Sequence, residues 1–151
     1  MAAGIDHRLV DVTLVIVTNL FNLVVAGIML SRVGKWKRVE RALGWISVAL
    51  SLPVGIALVL NILAGREWWA IVLPGLFLAF LLVEVVLDYA LKLEFRRTRL
   101  LGPYLLLFYA AQMGMIGYAF LAREVYGAVT LVTYFLCLGA TGYSYSRVGH
   151  G

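Results

Sequence analysis

The sequence predicts an all-α polytopic membrane protein, a compact bundle of about five transmembrane helices, and three observations carry that expectation. Of the 151 residues, 63% are hydrophobic and 14% charged, whereas a soluble domain is about half apolar and a quarter charged. The apolar residues fall into five runs, each near the ~20 residues that cross a bilayer as a helix. Lysine and arginine crowd into alternate connecting segments, the pattern of a chain oriented by the positive-inside rule. With a mean hydropathy of +0.94, a soluble fold of this size has no interior able to hide so much apolar surface. Helices in lipid, whose backbone polar groups are satisfied internally, remove the difficulty.

The first run, 9–31, follows a segment in which Asp6 and Asp11 flank Arg8; this is unlike a cleavable leader, and Leu9 onward reads as the first helix of the mature chain. The second run, 42–64, is bracketed at its start by Trp36 and Trp45 and contains Ser51-Leu52-Pro53-Val54-Gly55. Proline there, like Pro74 in the next span, removes a helical hydrogen bond and predicts a packing kink. The third run, 69–92, opens on Trp68-Trp69 and carries Leu73-Pro74-Gly75. The fourth, 100–122, and the fifth, 125–146, meet at Arg123-Glu124, with Tyr126 beside the turn. The tryptophans and Tyr126 read as anchors at headgroup level. The whole chain, 1–151, reads as a single transmembrane domain.

Orientation follows from the basic residues. Arg32, Lys35, Lys37, Arg38, Arg41, Lys92, Arg96, Arg97, Arg99 and Arg147 fall on one side, and Arg8, Arg66 and Arg123 on the other. The N-terminus is therefore expected outside and the C-terminus in the cytoplasm, with a prokaryotic cytoplasmic membrane as the expected location. The net charge of +5 is accounted for by topology and anionic headgroups, so nucleic acid is not an expected partner.

Corresponding positions suggest an internal repeat. Arg38-Val39-Glu40-Arg41-Ala42-Leu43-Gly44 resembles Arg96-Arg97-Thr98-Arg99-Leu100-Leu101-Gly102, and Arg66-Glu67 has a counterpart in Arg123-Glu124. Ser31-Arg32-Val33-Gly34 recurs as Ser146-Arg147-Val148-Gly149. The pattern suggests a parallel repeat of two-helix hairpins.

The residues that could carry chemistry begin with Glu84, Asp88 and Lys92, spaced four apart on one face of the third helix. A carboxylic acid at membrane depth is costly unless it faces the bundle or a wet cavity, so the charge of Glu84 should be partnered or suppressed by protonation. Asn19, Asn22, Gln112 and Thr133, counted from the helix boundaries, lie near mid-membrane. Together with Glu84 and Asp88 they predict an inner-leaflet polar cavity that opens toward the cytoplasm and takes a small molecule or cation. Interhelical hydrogen bonding without a ligand is the plain structural account of the same residues.

The function expected from this pattern is a small membrane transport, channel-like or ligand-binding module. A non-catalytic accessory or scaffold subunit of a larger membrane complex is the alternative. Ala110, Gly114 and Gly117, with Gly139, Ala140 and Gly142, form small-residue stretches that let helices approach within the chain, in a homo-oligomer or against a membrane-protein partner. A membrane-embedded enzyme acting on lipid stands third, because there is no HExxH, GxSxG, P-loop or dinucleotide fingerprint and no catalytic residue is expected. His7 and His150 lie outside every apolar run and Cys137 is the sole cysteine, so no cofactor and no metal site are expected.

Overall fold

A computed structural model describes residues 6–87 and 98–149; Asp88, Lys92, Arg96 and Arg97 lie outside the described residues. The described elements are helices α1 (His7–Val33), α2 (Lys37–Ala49), α3 (Ser51–Leu63), α4 (Trp68–Val85), α5 (Leu101–Ala122) and α6 (Glu124–Val148). Joined as 37–63, α2 and α3 form one span, which gives five helical segments long and apolar enough to cross a membrane. The chain is thus an all-α bundle suited to a bilayer. The ends of the bundle are distinguished below as the N-terminal end, where α1 begins, and the basic end, where α1 hands over to α2.

Local chemistry explains where the helices start and stop. Asp6 precedes α1 in an extended conformation and accepts a 3.0 Å hydrogen bond from the Arg8 amide, the usual service of an N-cap. At the other end of α1 the Trp36 amide returns to the Ser31 carbonyl at 2.9 Å. That closure requires Lys35 to adopt a φ of +56°. The second span starts five residues earlier than the apolar run, because Lys37–Arg41 continues the helix as a polar first turn.

Proline acts differently in the two spans that contain it. Proline has no N–H to donate to the carbonyl four residues earlier, and its ring pushes that carbonyl away. For Pro53 that residue is Ala49, where α2 ends, and the Ser51 hydroxyl takes up the neighbouring Val48 carbonyl at 2.7 Å. The expected kink is therefore a break at Leu50. Pro74 instead leaves α4 continuous. Its orphaned carbonyl belongs to Ala70, and the fully buried Asn61 of α3 donates its side-chain amide to that oxygen at 2.7 Å.

The first helix is the axis of the bundle. Half of its spanning window is buried, against 22–33% for the other spans, and it packs on α6, α2, α3 and α5. The hairpin partners α4 and α5 close the opposite side. Between them lies a core of Leu14, Phe21, Phe77, Phe80, Leu81, Met115 and Tyr118. The Phe21 ring meets Phe77 and Phe80 edge-on with centroids 5.3 and 5.9 Å apart, a favoured aromatic geometry.

The two turns marked by Arg-Glu are built differently. Gly65, at φ +60°, ends α3 and leads into Arg66, while Arg123 alone separates α5 from α6. So tight a hairpin presses the Phe120 ring against Gly127, where a Cβ would fall inside the ring's van der Waals envelope.

Candidate functional site

A cavity of about 1020 Å³ opens at the basic end of the bundle. Its walls are apolar and aromatic: Phe21 and Val25 from α1, Phe80 and Leu81 from α4, Tyr104 and Phe108 from α5, and Leu138 from α6. Its charged lining comes from three helices, with Arg32 on α1, Lys37, Glu40 and Arg41 on α2, and Glu84 on α4. Arg32 donates from Nε to Glu40 Oε1 at 2.8 Å, which ties the end of α1 to the first turns of α2. On α2, Lys37, Glu40, Arg41, Gly44 and Ser47 line this space from one helical face.

Beyond the cavity lies a buried polar layer. Leu101, Leu105 and Phe108 line the cavity from α5, and the same helical spacing continues to Gln112, one turn or about 5 Å further in. On α1 Asn22 lies between the lining residues Val25 and Phe21 but does not itself line the cavity. Gln112 and Asn22 are both fully buried. Among the described residues, neither polar atom of the Gln112 amide has a hydrogen-bond partner, and neither does the Asn22 carbonyl oxygen. Such groups cost about 1–3 kcal/mol each when left dry.

The remaining mid-membrane residues form a ladder. Asn19 donates to Thr130 at 3.1 Å, Asn22 donates to Thr133 at 3.0 Å, and Thr133 donates to the Asn19 carbonyl oxygen at 2.6 Å. Helices α1 and α6 run parallel, and the two rungs keep one register, each joining residues 111 apart in sequence. Of the residues expected to form a site, the structure brings Asn19, Asn22 and Thr133 together at the α1–α6 seam. It sets Glu84 on the cavity wall and Gln112 one turn beyond the cavity on α5; Asp88 lies outside the described residues.

A second polar cluster, at the N-terminal end, is absent from the sequence-derived set. Arg66 forms an ion pair with Asp11 of α1, Tyr118 of α5 donates to the same carboxylate at 2.5 Å, and Arg66 reaches the Asn61 side-chain oxygen at 3.4 Å. The guanidinium also lies over the Trp69 ring, 5.4 Å from its centroid. Burial opposes the charge of Arg66, but the Asp11 hydrogen bond and carboxylate, with help from Tyr118, outweigh it and raise the pKa above its ordinary value. The cluster therefore holds a permanent cation. Asp11, one turn inside an apolar helix, was the signal for it, since an acid at that depth needs a partner.

Trp69 is thereby part of the packed interior, with its ring 5.2 Å from that of Tyr118, while Trp68 is exposed as an anchor would be. Among the described residues, no group of three or more His, Cys, Asp and Glu side chains could hold a metal ion. Comparison with protein-family models, with curated proteins and with solved structures finds no match.

Proposed function

We propose that the protein is a small integral membrane module that binds or passes a small molecule through the cavity at its basic end, with Glu84 on the α4 wall and Asp88, outside the described residues, joined to it by the spacing of four in the sequence alone. The observation that carries this reading is the cavity itself. At about 1020 Å³ it matches the upper range of small-molecule sites, and it shares their construction of apolar walls with a few polar groups. By the distribution of lysine and arginine this end faces the cytoplasm. The buried Gln112 and Asn22 amides do not line the cavity but lie behind its apolar wall, and the Asn19–Thr133 seam fixes α1 and α6 beside it.

Two substitutions test the role of Glu84. Glu84→Gln keeps the side chain's size and its hydrogen-bonding capacity while removing the titratable group, so thermal stability in detergent should be kept. A proton-linked flux, read with a pH-sensitive dye in liposomes, should be lost. Glu84→Leu should lower stability by removing the polar partner that a neighbouring group requires. Full flux with unchanged pH dependence in Glu84→Gln would exclude a proton-linked role.

The accessory-subunit reading has one observation of its own. A Cβ added to Gly139, exposed on α6, would meet nothing within 4 Å, so a small-residue surface on this helix has no partner within the described chain. A stoichiometric membrane-protein companion retained on mild purification, together with wild-type behaviour of Glu84→Gln, would favour that reading.

A further inference from the structure

We infer that the ligand of the basic-end cavity is an amphiphile with an anionic head, its apolar part held between the aromatic walls and its head at Lys37 and Arg41. This rests on the cavity's being a ligand site and adds the chemical class. The argument starts from the charges. Among the residues lining the cavity, Arg32 and Glu40 neutralise each other through their 2.8 Å ion pair. Lys37 and Arg41 are four residues apart on α2, so they share a helical face, and both line the cavity. Neither makes an ion pair among the described residues. Among the described lining residues, two cations on one helical face thus stand against one further carboxylate, Glu84, an excess of positive charge where the head of a ligand entering from this end would come to rest.

The rest of the cavity rejects a small hydrophilic anion. Phe21, Phe80 and Phe108 form its walls, and an ion placed among them would lose its hydration without a compensating charge. Hydrocarbon placed there loses nothing and removes apolar surface from water. A molecule that satisfies both regions carries its charge at one end and an apolar body behind it. The carbonyl and amide groups of Asn22 and Gln112 are neutral, so they cannot substitute for Lys37 and Arg41 as the seat of the charge.

The test uses the full chain purified in a neutral maltoside detergent, with bound molecules counted by native mass spectrometry. The probes are phosphatidylglycerol, phosphatidylcholine with the same acyl chains, and inorganic phosphate. The variants are Lys37→Gln/Arg41→Gln and Gly142→Leu. Gly142 lines the cavity, and a Cβ there meets nothing within 4 Å, so its leucine fills the cavity without a backbone clash. Thermal unfolding confirms that each variant is folded. The expected result is preferential retention of phosphatidylglycerol, weakened about tenfold to thirtyfold by the double substitution and abolished by Gly142→Leu. Equal retention of both lipids, unaffected by the double substitution but blocked by Gly142→Leu, would overturn the anionic class and leave the cavity as a site. Phosphate that competes with phosphatidylglycerol on its own would overturn the amphiphile and leave an anion site. Lipid retention indifferent to Gly142→Leu would place the lipid on the outer surface and overturn the cavity reading as well.

Discussion

Lys35 occupies the left-handed region with φ +56°, a conformation that costs a residue with a Cβ about 1 kcal/mol or more. Glycine stands one position too early, at Gly34, whose φ is −75°. The Trp36 ring covers Gly34 so closely that a Cβ there would meet it at 3.0 Å, which explains why the glycine sits where it does. Lys35→Gly should therefore stabilise the protein by roughly 1 kcal/mol, seen as a rise in the thermal midpoint in detergent. An unchanged or lowered midpoint would mean that the lysine charge matters more than the backbone. The opposite outcome is expected at Gly127, where Gly127→Ala drives a methyl into the Phe120 ring and should cost about 1–3 kcal/mol. Neither position could be read in the sequence, because turn geometry and ring placement are tertiary facts. The place of Glu84 on the inward face of its helix, by contrast, follows from the spacing of residues along α4, and the residue lines the cavity.

Among the elements, the spans and the interruption at Pro53 were legible, and the continuity of α4 through Pro74 was not. Length and hydropathy locate α1, α5 and α6 to within a few residues, since a bilayer demands a fixed run of apolar side chains. What proline does within a span depends on whether another helix can serve the carbonyl it orphans. Beside Pro74 the Asn61 amide does so; at Pro53 the helix ends instead. Asn61→Leu should therefore destabilise the protein by about 1–3 kcal/mol. In a Pro74→Ala background, where residue 74 regains an amide for the Ala70 carbonyl, the penalty should fall by at least about 1 kcal/mol. Equal penalties in the two backgrounds, measured by reversible unfolding in detergent, would dissociate Asn61 from the proline. Arg66 was legible only as a topological charge, because nothing in its local sequence reveals that Asp11 and Tyr118, from two other helices, converge on it.

At the scale of the whole molecule, the charge distribution sets the orientation proposed for the bundle. In a Cys137→Ser background, a cysteine at the exposed position 67 should react with an impermeant thiol reagent added outside intact cells, and one at position 37 should be protected. The reverse pattern would invert the protein and turn the cavity outward. The recurrence of Arg-Glu turns suggested two equivalent hairpins, yet the turn through Gly65 and the single-residue turn at Arg123 differ, and α5 has no break corresponding to Leu50. Membrane boundaries reward the same charges at the ends of hairpins whatever their interior packing, so sequence likeness there is weak testimony to shared geometry.

The seam between α1 and α6 imposes an order on biogenesis. Among the described helices, the one made earliest finds its main polar partner in the one made latest, so Asn19 and Asn22 must wait through the synthesis of about a hundred residues before Thr130 and Thr133 arrive. Until then, two carboxamides sit in the middle of a lipid-facing helix with nothing from α6 to receive them. The axis of the finished protein is thus the most exposed part of the nascent one. A chain halted before α6 should present α1 to whatever assists membrane insertion, and supplying α6 as a separate peptide should release it.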